Sequence, residues 1–339
     1  MEPGPVAAVF AIPELLARIL GALRLSDVPA ARETCRAWNA AQFRVTCPPK
    51  AYSRIRRRAR LCIERGDTPG LQATLAMVGR VVGASLSYRN LLTEACCLGR
   101  LKAARWLADR YALTPADARR KNNAALQGAC AGGHLKTARW LVARFELTPA
   151  DARSGKNKGL WAACARGHLA TARWFVARFE LLPADARSND NYALRRACEN
   201  GHLGAARWLA GRFELTTADA RSQCNYALRR ACAGGHLETA QWLANHFELT
   251  SADARCECNT IFINACERDC LEIARWLADR FKLISEDART LGNYALHLSC
   301  ARDQLGIVQW LVKRFELTAR TRSKQPGLLC VSWASLPAL

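Results

Sequence analysis

Cys130 stands four residues before His134, and a thiol beside an imidazole serves two chemistries. The imidazole can take the thiol proton for nucleophilic attack, or the pair can share a zinc ion. The stretch that holds them, "CAGGHLKTARWL", returns with Cys164 and His168, Cys198 and His202, and Cys232 and His236. One active site does not explain a pair that recurs in consecutive copies. A glycine also stands between the partners each time, where a helix would end, so a helix terminus separates the two side chains. The pair therefore reads as structural. The cysteine is a small buried hydrophobe, and the histidine starts a second helix, where its ring can bond orphan backbone groups of its own or the next unit. No catalytic residue is assigned.

A second thiol group, "RCECNTIFINACERDC", places Cys256, Cys258, Cys266 and Cys270 close in sequence. Cys266 belongs to the recurring thiol position and Cys270 takes the place of the histidine. Only Cys256 and Cys258 are additional, and a C-x-C pair is a weak zinc signature. No metal or cofactor is assigned.

The elements that position these residues are set by a period. Trp106, Trp140, Trp174, Trp208, Trp242, Trp276 and Trp310 fall 34 residues apart, without insertion or deletion across seven copies. The thiols from Cys96 to Cys300, the aromatics from Tyr111 to Phe315 and the aspartates from Asp117 to Asp287 keep the same step. In the unit "NYALRRACENGHLGAARWLAGRFELTTADARSQC", Ala193, Leu194, Ala197 and Cys198 give a first helix a face of small residues. Gly201 ends that helix, and Leu203, Ala206, Ala210 and Phe213 form the stripe of a second one. Thr148, Pro149 and Asp151 of "ELTPADAR" then fit the cap, first position and capping-box acid of a short third helix. Units this small bury their faces only by stacking.

Two arginine columns follow the period. Arg110, Arg144, Arg178, Arg212, Arg280 and Arg314 form one; Arg119, Arg153, Arg187, Arg221, Arg255 and Arg289 form the other, beside the aspartates. An arginine stripe can track a phosphate backbone, or the Asp-x-Arg elements can pair between units. Pairing is the expectation, because the stripe lacks the exposed aromatics of a single-strand groove. A net charge of +21 still raises attraction to nucleic acid, anionic lipid or acidic protein. "SRIRRRAR" at residues 53–60 reads as a basic connector with helical character. Sixteen cysteines, no long uncharged apolar run and no basic leader predict an intracellular, cytoplasmic or nuclear chain with reduced thiols and no membrane span.

The phrase "ALRRACENGHLGAARWL" resembles the ankyrin repeat: Leu194, Ala197, Gly201, His202 and Leu203 fall in register with it. The resemblance covers residues 88–321 and implies seven helix pairs. The family's fingertip is replaced by "FELTxADAR", so regular β-hairpin fingers are not expected.

Residues 1–48 do not carry the period. Leu15, Leu16, Ile19, Leu20 and Leu23 stand at helical spacing, and a second short helix ends near Trp38. So compact a segment would have difficulty burying these residues alone, which favours an exposed patch for a partner helix. Here the sequence resembles the F-box: Glu14-Leu15-Leu16, Ile19-Leu20, Leu23, Asp27-Val28, Cys35-Arg36 and Trp38 fall at its spacing. Pro13 directly precedes Glu14 where the family has one residue between, and Thr34 stands where it prefers valine. The resemblance implies docking on the adaptor subunit of a cullin-RING ubiquitin ligase through Pro13, Leu15, Leu16, Ile19, Leu20, Leu23 and Trp38, with the repeats holding a target. Arrays of this combination are common in large DNA viruses.

The expected architecture is all-α, an F-box-like helical module followed by an ankyrin-like solenoid of 34-residue repeats. The segments are 1–48, a basic connector and degenerate leading repeat at 49–87, the repeats at 88–321, and a truncated cap at 322–339. Positions that vary between units, Gln127, Trp161, Arg195, Arg229, Ile263 and His297, are the expected target contacts. The partners expected are the ligase adaptor and an acidic target protein, with nucleic acid as the competing partner of a basic scaffold that has no ligase role.

Overall fold

The computed structural model describes residues 49–76 and 88–317, and among them every regular element is a helix. The F-box-like segment and the cap at 322–339 lie outside the described residues. Packing divides the chain into two compact units, Met1–Asp151 and Ala152–Leu339.

The first unit begins with the helices Pro49–Arg65, which contains the basic run, and Thr68–Ala76. Asp67 accepts the Gly70 N–H at 2.8 Å and so satisfies an orphan donor of the second helix. The first of them packs against the repeat that follows: Arg60 Nε meets Glu94 at 2.7 Å, and Arg100 Nη2 donates to the Glu64 carbonyl at 2.6 Å. That repeat pairs Tyr88–Cys97 with Leu101–Arg110. A short helix, Pro115–Ala118, leads to the next pair, Arg120–Ala131 and Leu135–Arg144.

The second unit continues the pattern. Leu169–Phe179 follows the end of Pro149–Ala165, and the later pairs are Ser188–Glu199 with Leu203–Phe213, Ser222–Ala233 with Leu237–His246, Cys256–Glu267 with Leu271–Arg280, and Thr290–Ala301 with Leu305–Phe315. First helices of successive repeats lie against one another, which their small residues permit: Ala193, Ala197 and Cys198 are buried, as are Ala227, Ala231 and Cys232. The second helices bury a stripe of which Ala206, Leu209, Ala210 and Phe213 are typical. Leu203, assigned to that stripe from sequence, is the first residue of its helix and is half-buried. Burying one such phenylalanine is worth about 2–3 kcal/mol.

Two devices fix the joints. Gly201 ends its helix at φ +70°, and Gly167, at φ +72°, has no room for a side chain, since a Cβ there would lie 2.7 Å from the His202 ring of the next repeat. Between the short helix and the next first helix the backbone makes a left-handed turn of three residues, as at Asn189, Asp190 and Asn191 (φ +57°, +56° and +59°). Left-handed conformation costs most L-residues about 1–2 kcal/mol each, and asparagine, aspartate and glycine least. The third residue is asparagine each time, at 123, 157, 191, 225, 259 and 293.

Candidate functional site

The recurring thiol is buried. Cys96, Cys130, Cys164, Cys198, Cys232 and Cys266 are enclosed between helices, and loss of hydration pushes every one of these thiols far above its ordinary pKa. A thiol that cannot reach the thiolate form is not a nucleophile at neutral pH. The histidine is the N-cap residue of the second helix, as at His134, His168, His202 and His236. Its bond runs to the preceding repeat, whereas the sequence had pointed to its own unit or the next. The His236 Nε2 lies 3.1 Å from the Glu199 carbonyl, and Gln304 in the same position donates to the Glu267 carbonyl at 3.0 Å. Burial, with His168 and His236 nearby, lowers the His202 pKa. In the other thiol group Cys266 is buried, Cys258 is exposed, and Cys256 and Cys270 are half-buried. Among the described residues no three ligating side chains gather around one point.

The Asp-x-Arg elements form clasps between neighbouring repeats within each unit. Arg119 Nε donates to Asp151 at 2.9 Å in the first. In the second, Arg153 meets Asp185, Arg187 meets Asp219, Arg221 meets Asp253 and Arg255 meets Asp287, all at 2.7–2.9 Å. At Asp253 the carboxylate accepts from Arg221 through Nε and Nη2, from the Thr250 N–H at 2.8 Å, from the Thr250 hydroxyl at 3.0 Å and from Asn225 Nδ2 at 3.3 Å. Burial alone would raise its pKa; these donors outweigh it and hold the pKa down at about 2. Arg119, Arg153, Arg187, Arg221 and Arg255 of the column beside the aspartates are thereby committed to the fold, whereas Arg289 meets Glu286 of its own short helix at 4.0 Å. The asparagines at 123, 157, 191, 225 and 259 belong to the same clasps, as in Asn191 Nδ2 to Asp219 at 3.1 Å. The asparagine column keeps the 34-residue step from 123 to 293, and that period is the signal in the sequence that marks it.

The other arginine column lies open on the second helices. The guanidinium groups of Arg110, Arg144, Arg178, Arg212, Arg280 and Arg314 stand 5.2–5.8 Å over the ring of the next residue. Each half-buried tryptophan of the period meets that ring edge-on, as Trp208 meets Phe213 at 6.2 Å.

The positions predicted to contact a target are not equivalent. Gln127, Arg195 and Ile263 are buried, Trp161 and Arg229 are half-buried, and only His297 is exposed. Gln127 turns inward to donate to the Asn122 carbonyl, and Arg195 donates to the Asp190 and Asn189 carbonyls at 2.7 and 2.8 Å. Both brace a left-handed turn, a role that a variable position does not advertise in sequence. Trp161, Arg195 and Arg229 come together with Tyr192 and Tyr226 in the second unit. The adaptor-contact residues Pro13, Leu15, Leu16, Ile19, Leu20, Leu23 and Trp38 lie outside the described residues.

Two models of ankyrin repeats match the chain, one over residues 228–325 and one over 160–210. Among solved structures the chain is similar to an ankyrin repeat family protein from Legionella pneumophila, at 18% identity and a TM-score of 0.36, covering 69% of this chain and 89% of that one. No curated protein matches it. Residues 160–210 and 228–325 therefore carry ankyrin repeats, and such repeats imply a protein-interaction scaffold. Among the described residues no helix is long and apolar enough to cross a membrane.

Proposed function

We propose that the chain is a non-catalytic substrate receptor of a cullin-RING ubiquitin ligase, in which the segment around Leu16 and Trp38 docks on the adaptor subunit and the repeats hold a target protein. The observation that carries the ligase part is the spacing from Glu14 to Trp38, which resembles the F-box over apolar residues that a small segment could not bury alone. Such a receptor supplies no reacting group. It raises the concentration of the target beside a ubiquitin-loaded enzyme, by the arithmetic of two linked binding sites. Pull-down of the adaptor by the full chain tests this, with Leu16→Glu and Ile19→Glu as controls. Retention by the native chain and loss in both variants is expected; no retention, or equal retention in the variants, removes the ligase reading.

The open arginines of the second helices favour a second reading, a basic scaffold that binds nucleic acid. Its test is binding as a function of salt, since phosphate contacts release counterions and weaken steeply as salt rises. No affinity at low salt removes it.

A further inference from the structure

Resting on the reading of the repeats as a target-binding surface, we propose that residues 158–230 form a docking site for an acidic protein segment, whose carboxylates are taken by cations stacked on tyrosine and tryptophan rings. Trp161 meets Tyr192 edge-on with centroids 4.9 Å apart, and Lys158 Nζ lies 5.8 Å over the Trp161 ring. The Arg195 guanidinium sits between two tyrosines, 5.3 Å from Tyr192 and 4.9 Å from Tyr226. Arg196 stands over Tyr192, and Arg229 and Arg230 over Tyr226.

The cluster belongs to three consecutive repeats. The matching positions carry Ala124, Gln127 and Gly128 on one side and Thr260, Ile263 and Asn264 on the other. Repeats therefore stack without this set of residues, and packing does not account for it. Internal pairing accounts for only part of it. Glu199 answers Arg196 and Arg230, and Glu257 answers Arg229. The Asp190 carboxylate is turned to Gln223 at 2.8 Å. Arg195 is only 6% exposed and rests on two backbone carbonyls, while Lys158 is exposed. Cations thus outnumber the carboxylates that answer them at a half-buried place, where an added carboxylate meets less screening than on open surface.

The geometry separates an acidic peptide from a nucleic acid strand. Single-strand binding uses free aromatic faces on which bases stack. Here those faces hold the protein's own cations, so the rings serve to orient guanidinium edges, which suit bidentate bonds to a carboxylate. Glu199 and Glu257 also interrupt the positive strip, which a peptide with spaced carboxylates tolerates better than a continuous phosphate backbone.

The test is fluorescence anisotropy of the full chain with a fluorescein-labelled polyglutamate peptide. Lys158→Gln with Arg196→Gln is compared with Arg207→Gln with Arg212→Gln on the second helices. Loss of at least about tenfold in affinity is expected for the first pair and less than about twofold for the second. Equal loss in both pairs would mean that only the surplus charge attracts the peptide, and it overturns the proposal. So does an unlabelled single-stranded oligonucleotide that binds more tightly than the peptide and is lost with the first pair. Lys158→Glu, which leaves the Glu199 pairs intact, is the second variant; a severalfold loss supports the proposal and unchanged affinity overturns it. Adaptor capture measured on the same proteins keeps the two readings apart. The Lys158 and Arg196 variants should still capture adaptor, and Leu16→Glu should still bind peptide.

Discussion

Asp253→Asn removes one charge from one clasp and almost no volume. Folding lowers the Asp253 pKa from 3.8 to about 2, which at about 1.4 kcal/mol per pH unit corresponds to about 2 kcal/mol of stability at neutral pH. The carboxylate is 7% exposed but Arg221 is 46% exposed, so solvent screening of the pair makes this figure an upper bound. Asparagine keeps an oxygen for the Thr250 donors, and its amide group presents protons to Arg221, which already donates there. In urea at pH 7 the midpoint should fall by at most about 0.7 M, for a slope near about 3 kcal/mol per M. The sign of the pH dependence follows from the direction of the shift. The stabilisation is complete above the unfolded pKa of 3.8 and is lost as the pH falls through about 2, so native chain and variant should converge there. An unchanged midpoint at pH 7, or a gap of the same size at pH 2, would refute the account of the clasp.

Asn225→Ala should cost about 2 kcal/mol, since it loses the bond to Asp253 and puts a Cβ-bearing residue without a polar side chain at φ +56°. Asn225→Gly should recover the backbone share of that loss, which thermal unfolding of both variants measures. Folding lowers the His202 pKa, so its contribution is present above 6.5 and lost as the pH falls through the folded value. His202→Gln should flatten the stability profile between pH 7 and 5 while keeping the joint, as Gln304 does; an unchanged slope counts against the assignment. Iodoacetamide on the native chain should alkylate Cys224 and Cys258 and spare Cys130, Cys164 and Cys198, read by peptide mass spectrometry; rapid labelling of Cys198 would contradict its burial.

The repeat register, the helix pairs and the pairing of Asp-x-Arg between units were legible in the sequence because each depends on a local pattern repeated without a shift. Thr148, Pro149 and Asp151 announce a cap at any one copy, and the other copies remove the ambiguity. The left-handed turns were not legible. Gly155-Lys156-Asn157 and Gln223-Cys224-Asn225 share only their last residue, and what makes that asparagine necessary is an acceptor on the following repeat. The burial of the variable positions was not legible for a related reason. Variation between units does not say which side chain faces inward: Gln127 and Arg195 differ while doing the same work of bracing a turn.

Periodic residues are poor evidence for a partner, since their spacing already follows from stacking. The clasp arginines illustrate this: they recur at the 34-residue step, and their Nε donors are spent on aspartates of the next repeat. Information about a partner must lie where the period is broken without loss of packing. In the sequence, two places break the period. One is the stretch from Glu14 to Trp38, apolar residues outside the 34-residue step. The other is the cluster of Lys158, Trp161, Tyr192, Arg195, Arg196, Tyr226, Arg229 and Arg230, where aromatic and cationic side chains replace the small and neutral ones that suffice elsewhere. Because the two places are separate in sequence, loss of one binding activity with retention of the other is the behaviour that a two-site receptor requires and that a uniformly basic scaffold does not produce.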